Sequence, residues 1–314
     1  MKAAIVSEFG GPEQLHLADV ADPVPGAGQV RIGVHAAGVN PVDADNRADG
    51  SWAGITLPCV LGYDIAGVVE SLGPGVAGLS PGDRVMAMTH FPDGGGGYAE
   101  LAVVDAAQVA RIGPDTSFAE AAATPLAGGT AAAVLARLAL QPGSRMLVLG
   151  ASGGVGLFLL QLAARLGIQT IGVGRSAMHQ QMRALGASSC IDYTIEDPGQ
   201  RAIQLAGGHV DAIADLVGGL QLATALRGLR PGGQVAAIAT PQLDLDPLLD
   251  ANITFHGVLI QDDGKRTRQL AALLADHALQ PVVSHQLPLA DAAEAHRILE
   301  RRHPSGKIVL DIVS

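Results

Sequence analysis

Residues 150–156, Gly-Ala-Ser-Gly-Gly-Val-Gly, follow the short apolar run Met146 to Leu149 and precede a stretch in which Leu157, Leu160, Ala163, Ala164 and Leu166 recur at helical spacing. Glycines at a strand-to-helix junction suit phosphate binding. Unpaired backbone N–H groups and the positive end of the helix dipole point at one spot, which favours a pyrophosphate. Within this turn Ser152, Gly153, Gly154, Val155 and Gly156 are the candidate contacts: Gly153 permits close backbone approach, and Gly156 lets the helix pack on the strand. The pattern departs from G-x-G-x-x-G at its first glycine, where Ala151 stands.

The residues that follow bear on which dinucleotide would fit. An acid about 20 positions past the glycines usually accepts hydrogen bonds from the ribose 2′-OH of NAD. Between Gly156 and Asp192 there is no Asp or Glu, and the second strand ends instead in Gly174-Arg175-Ser176. Arg175 and Ser176, with His179 and Arg183 nearby, offer a guanidinium and a hydroxyl to a 2′-phosphate. NADPH is therefore expected over NADH. The alternative is that Arg175 and Arg183 are ordinary solvated charges.

Elements that would position these groups can be read from the pattern. Residues 1–119 show short strand signals at 3–7, 29–37, 64–72, 84–88 and 98–104, punctuated by Pro-Gly and Gly-Gly turns, which predicts an irregular β-barrel. From residue 120 to 260 strands alternate with helices; the strand candidates are 146–149, 170–173, 190–193, 212–216, 234–239 and 253–259, and such alternation predicts a doubly wound parallel sheet. Residues 261–314 add a helix near 265–277 and a final strand at 307–313, expected to return to the first domain. The fold class is thus α/β, a barrel plus a dinucleotide-binding domain.

Composition narrows the function. Of 314 residues 48% are hydrophobic and 16% charged, as in a globular chain with room for two cores. The formal net charge of −10 argues against nucleic acid or an anionic membrane as the main partner. Cys59 and Cys190 form neither a disulfide framework nor a metal lobe, and the start of the chain lacks a signal-peptide core, so a cytoplasmic protein is expected.

Several stretches, in this order, resemble the zinc-independent quinone oxidoreductase or zeta-crystallin branch of the medium-chain dehydrogenase/reductase superfamily. They include Gly38-Val-Asn-Pro-Val-Asp43, Leu61-Gly-Tyr-Asp-Ile-Ala-Gly67, Pro81-Gly-Asp-Arg-Val85, Pro125-Leu-Ala-Gly-Gly-Thr130, Ser152-Gly-Gly-Val-Gly156, Asp215-Leu-Val-Gly-Gly219 and Gly306-Lys-Ile-Val309. The resemblance implies a GroES-like barrel interrupted by a Rossmann domain, with the active site in the cleft between them. It implies that Asn40 lies near nicotinamide and substrate, that Thr130 contacts the nicotinamide side, and that Tyr193 lies by the adenosine ribose, with Val217 also at the cofactor. Zinc-dependent relatives carry Cys where Asn40 stands and Gly-His-Glu where Gly62-Tyr63-Asp64 stands, so no metal is expected.

A reductase without a metal needs an acceptor that is already electrophilic, such as a quinone or an α,β-unsaturated carbonyl. Asn40 is expected to donate to the developing oxyanion and solvent to supply the proton. Tyr63 is an alternative donor or a packing residue; Trp52 stacks on a flat substrate or packs in the core. Asp45 and Asn46, where well-marked quinone reductases often carry an aromatic, shift the balance toward enones. A homodimer is expected, with the apolar segment 253–260 pairing across a two-fold axis. Two rivals remain: a non-catalytic NADPH-binding sensor, and a serine hydrolase in which Ser152 of G-x-S-x-G is followed by Asp215 and His285 or His296.

Overall fold

The computed structural model describes residues 1–92, 95–301 and 305–312. The chain forms two compact units, residues 1–129 with 261–314, and residues 130–260. The first unit extends ten residues past the boundary drawn from composition at 119–120. The reason is local: the helix Phe118–Ala122 packs on first-unit strands, and the N–H of Leu126 donates to Asp64.

In chain order the first unit contains β1 (Lys2–Val6), β2 (Leu15–Asp19), β3 (Gln29–Val39), α1 (Pro41–Asp49), β4 (Cys59–Val60), β5 (Asp64–Leu72), β6 (Arg84–Met88), β7 (Leu101–Asp105), β8 (Ala110–Arg111) and α2 (Phe118–Ala122). The helix α3 (Pro125–Leu138) leads into the second unit. There β9 (Arg145–Leu149), α4 (Gly154–Arg165), β10 (Gln169–Val173), α5 (His179–Ala184), β11 (Ser189–Ile191), α6 (Pro198–Ala206), β12 (Val210–Asp215), α7 (Gln221–Ala225), β13 (Leu229–Ala237), α8 (Asp246–Asp250) and β14 (Thr254–Gly257) follow. The chain then returns to the first unit with α9 (Gly264–Ala275), β15 (Val283–Pro288), α10 (Ala292–Glu300) and β16 (Lys307–Asp311).

The second unit is a six-stranded parallel sheet in the order β11-β10-β9-β12-β13-β14. The strands neighbouring β9 run outward on both sides, so the order reverses there, which is where doubly wound sheets take dinucleotides. β9, β10 and β12 are apolar on both faces because helices cover both, and Leu147, Leu149, Ile171, Ile213 and Val235 form a fully or nearly fully buried core. In the first unit, β2-β1-β4 form one small sheet and β15-β16-β3-β5-β6-β8 a larger one, with β7 also paired to β3. Val30, Ile32, Val34, Ile65, Val69 and Val85 fill the space these strands enclose. β16 lies between β15 and β3, so the return segment contributes an interior strand.

Two expectations need amendment. The edge strand expected over 253–259 is the four-residue β14, and the final strand ends at Asp311, with Val313 outside the described residues. α1 is a nine-residue helix in a half read as mostly β. It starts where Pro41 sits at its first turn, pre-set in φ and lacking the N–H that a helix start would leave unpaired.

Candidate functional site

At the end of β9 the backbone reverses at Gly150, whose φ of 75° is the left-handed conformation that glycine adopts without a Cβ clash. The turn is therefore made one residue before Ala151, which explains why alanine is tolerated there. Gly153 is the N-cap of α4, and a Cβ on Gly156 would come within 2.4 Å of the Gly150 carbonyl oxygen and 2.6 Å of the Ala151 backbone. The first N–H groups of α4 have no intrahelical acceptor, as at any helix start, and Ser152, Gly153, Gly154 and Val155 are part-exposed around them. This cradle fits a pyrophosphate.

The turn after β10 is where the four candidates for a 2′-phosphate separate. Arg175 Nε donates to Tyr193 Oη at 3.3 Å, and Tyr193 is 38% exposed, so guanidinium and phenol stand together at the surface. Ser176 is exposed as well and is tied to its own turn: its backbone N–H donates to Asp192 Oδ2 at 2.8 Å, and its hydroxyl hydrogen-bonds the same carboxylate. The His179 ring meets the Gly174 carbonyl through Nε2 at 3.1 Å. Hydrogen bonds from Thr194 and Ser176 hold Asp192 well below the usual carboxylate range, so it acts as a turn clamp. Ser176 and His179, both expected near a phosphate, also brace the turn that carries Arg175. Val217 is half exposed on the turn after β12, where its N–H and that of Gly218 donate to Asp215 Oδ1 at 3.1 and 3.0 Å. Thr130 is buried on α3.

In the first unit, Asn40 is only 1% exposed and sits between two charges. Its Nδ2 donates to Asp64 Oδ2 at 2.9 Å, and its Oδ1 accepts from Lys307 Nζ. Lys307 Nζ also donates to the Val39 carbonyl at 3.1 Å and to Asp64 Oδ2 at 3.3 Å. Asp64 Oδ1 accepts the Leu126 N–H at 2.7 Å. Burial pushes the Asp64 carboxyl above its ordinary range, and the Lys307 ammonium opposes that shift.

A second buried chain abuts this one through Asp43. Asp43 Oδ2 accepts the Asn40 backbone N–H at 2.8 Å and Oδ1 accepts the Gly62 N–H at 3.0 Å. Burial raises its pKa to about 7 in spite of those donors. Tyr98 also hydrogen-bonds Asp43, and its hydroxyl lies 3.3 Å from His296 Nε2; Arg47 reaches His296 Nδ1 at 3.1 Å, Glu300 at 2.5 Å and the Gly10 carbonyl at 3.0 Å. A guanidinium only donates, so His296 Nδ1 is the acceptor and Nε2 carries the proton. Burial, then the Arg47 charge, lowers the His296 pKa to about 3.

Tyr63 lies in the interior of the first unit. It is fully buried, its hydroxyl donates to the Pro92 carbonyl at 2.6 Å and accepts from Asn46 Nδ2 at 2.5 Å, and its ring meets Phe91 edge-on at 5.2 Å. Trp52 is 51% exposed and tilted against Phe91 at 6.5 Å, which leaves much of its indole uncovered. Of the residues named for the hydrolase rival, His296 has both nitrogens occupied and Asp215 uses Oδ1 in its own turn. Lys307, Tyr98 and Arg47 had no role in the sequence reading, and His296 entered it only as a triad candidate of the hydrolase alternative. The one available signal was Lys307, a lysine opening the apolar run Ile308-Val-Leu310.

Comparisons with known proteins agree with this geometry. A family model described as the GroES-like domain of alcohol dehydrogenase matches residues 26–114, and one described as zinc-binding dehydrogenase matches residues 185–310. The chain is 32% identical to a quinone oxidoreductase of Sus scrofa, with 99% of this chain and 97% of that protein covered. It is also 32% identical to a chloroplastic NADPH-dependent alkenal/one oxidoreductase of Arabidopsis thaliana, with 99% and 79% covered. Among solved structures, Escherichia coli quinone oxidoreductase complexed with NADPH matches with a TM-score of 0.91 at 28% identity, over 99% of this chain and 100% of that one. A GroES-like barrel, a Rossmann sheet and near-full-length similarity together place the chain in the zeta-crystallin-like quinone oxidoreductase branch of the medium-chain dehydrogenase/reductase superfamily.

Proposed function

We propose that this protein is an NADPH-dependent oxidoreductase that reduces a quinone or an α,β-unsaturated carbonyl without a metal. The observation that carries the metal-free reading is the Lys307 ammonium hydrogen-bonded to both Asn40 and Asp64. Zinc needs a cluster of neutral or anionic donors, and here a carboxamide replaces the thiolate while a fixed cation already balances the carboxylate. Among the described residues no three His, Cys, Asp or Glu side chains converge to make another such site. The residues therefore do not fit zinc.

They do fit NADPH. The 150–156 turn and the start of α4 would hold its pyrophosphate, and Arg175 with Tyr193 its adenosine 2′-phosphate end. When bound, NADPH supplies the hydride. The acceptor must delocalise the charge that arrives, and the second Nδ2–H of Asn40 is the donor assigned to its oxygen. The names of the relatives favour quinones and enones alike; the open indole of Trp52 suits either as a flat π-system.

Initial rates of NADPH oxidation against benzoquinones, phenanthrenequinone and simple enones test this, run in parallel with NADH and with a chelator. Chelator-resistant turnover that prefers NADPH is the expected result. In Arg175→Ala the KM for NADPH is expected to rise about 10- to 100-fold, the worth of one charge-assisted hydrogen bond, with NADH little affected. Tight NADPH binding with no turnover on any acceptor would instead favour a binding protein.

The edge strand β14 carries Phe255, which is exposed, as are Leu249 before the strand and Leu259 after it. Its unpaired backbone and these side chains are the surface proposed to join two copies. Light scattering is expected to give twice the chain mass, and a monomer mass would remove the proposal.

A further inference from the structure

We infer that Lys307 and Asp64 are positioning residues that fix which way the Asn40 carboxamide faces, and so make its one remaining N–H the donor to substrate. The inference rests on the reading of Asn40 given above and extends it to residues 267 and 24 positions away in sequence.

An ammonium has three protons and accepts nothing. Lys307 Nζ places all three on the Val39 carbonyl, Asn40 Oδ1 and Asp64 Oδ2. An amide in the opposite orientation would set its own N–H groups against that ammonium, so Lys307 alone selects the rotation of the carboxamide. Asp64 then takes one of the two Nδ2 protons. The carboxylate is itself immobile, because Oδ1 holds the Leu126 N–H in the first turn of α3. Among the described residues the second Nδ2 proton of Asn40 has no acceptor. A cation on the carbonyl oxygen also polarises the amide, which strengthens the remaining N–H as a donor.

Lys307 itself is excluded as a direct participant: its three protons are all engaged within the protein, so none is left for a substrate oxygen. Its part is to orient another group, and preorganised donors are the feature that oxyanion stabilisation depends on.

Four proteins test the inference by steady-state kinetics with NADPH and the best acceptor: the parent, Asn40→Ala, the charge-free pair Asp64→Asn/Lys307→Met, and the triple variant. The pair is changed together because a lone buried charge would threaten the fold. The expected result is a kcat about 10- to 100-fold lower in the pair variant, with the KM for NADPH unchanged, and a triple variant no worse than Asn40→Ala alone. If the pair variant melts prematurely, Lys307→Arg serves instead: it keeps the charge, loses the three-acceptor geometry, and is expected to fold with a reduced kcat. Parental kcat in the pair or in Lys307→Arg, or losses that multiply in the triple variant, would overturn the inference. An impaired Asn40→Ala beside an unimpaired pair sinks this inference alone, whereas an unimpaired Asn40→Ala sinks the reading of Asn40 itself.

Discussion

Asn40→Ala is expected to lower kcat about 10²- to 10³-fold, the usual effect of removing one preorganised oxyanion donor. The Kd for NADPH, read from the quenching or shift of its fluorescence, should stay within about twofold, because nothing in the cofactor cradle at 150–156 depends on this amide. The substitution leaves the Lys307–Asp64 ion pair and the Asp43 contact to the residue-40 N–H in place. It removes an acceptor from Lys307, so a modest fall in melting temperature accompanies it, about 1–3 kcal/mol for one unmet buried donor. The discriminating result is the split between kcat and cofactor affinity. Equal losses in both would mean that Asn40 merely supports the fold.

The second large effect concerns stability. Arg47→Met is expected to destabilise the protein by about 2–4 kcal/mol, since it orphans His296 Nδ1 and the Gly10 carbonyl together. Half-exposed Glu300 rehydrates and adds little. The pH dependence identifies the cause. His296 has a folded pKa depressed from 6.5 to about 3, so the stability of its neutral form is full above pH 6.5 and lost as pH falls toward 3. Asp43 runs the other way: its pKa is raised from 3.8 to about 7, so its contribution is present below pH 3.8 and lost as pH rises through 7. Between about pH 4 and 6.5 the two oppose each other, and the parent should show a shallow profile. Without the Arg47 charge His296 protonates more readily, so the deficit of Arg47→Met should shrink between pH 8 and pH 5. A urea-unfolding series that finds the same deficit at every pH would show that Arg47 does not act on His296.

The parallel, doubly wound sheet of the second unit was legible because its strands are buried on both faces and read as continuous apolar runs between glycine punctuation; its strand order was not. α1 was not, for the opposite reason. The face it buries is Asp43, Asn46 and Arg47 with Ala44, so helical spacing is present but carried by polar side chains, and a search for apolar period passes over it. The same residues are half of the buried network. Polar groups that satisfy one another leave no signature in hydropathy, and partners such as Lys307 and His296 are hundreds of positions from Asn40 and Arg47. Arg175 was singled out by its place at a strand end and Tyr193 by the family resemblance, and the structure sets the two side by side. Ser176 and His179, which hydrogen-bond within their own turn, show what a strand-end position leaves open: it does not say whether a side chain serves a ligand, its own turn or both.

The placement of β16 has a consequence for biosynthesis. Its pairing with β3, and the contact of Lys307 with Val39 across 268 residues, form only after the whole second unit has been made. Residues 130–260 are continuous and emerge complete, so this inserted unit is the first able to mature on a translating ribosome. Until β16 arrives, β3 has an open edge and Asp64 has no lysine to neutralise it. The first unit therefore waits in an adhesive, charge-frustrated form, and holding that intermediate apart from others of its kind is the step at which chaperones have the most to offer this chain.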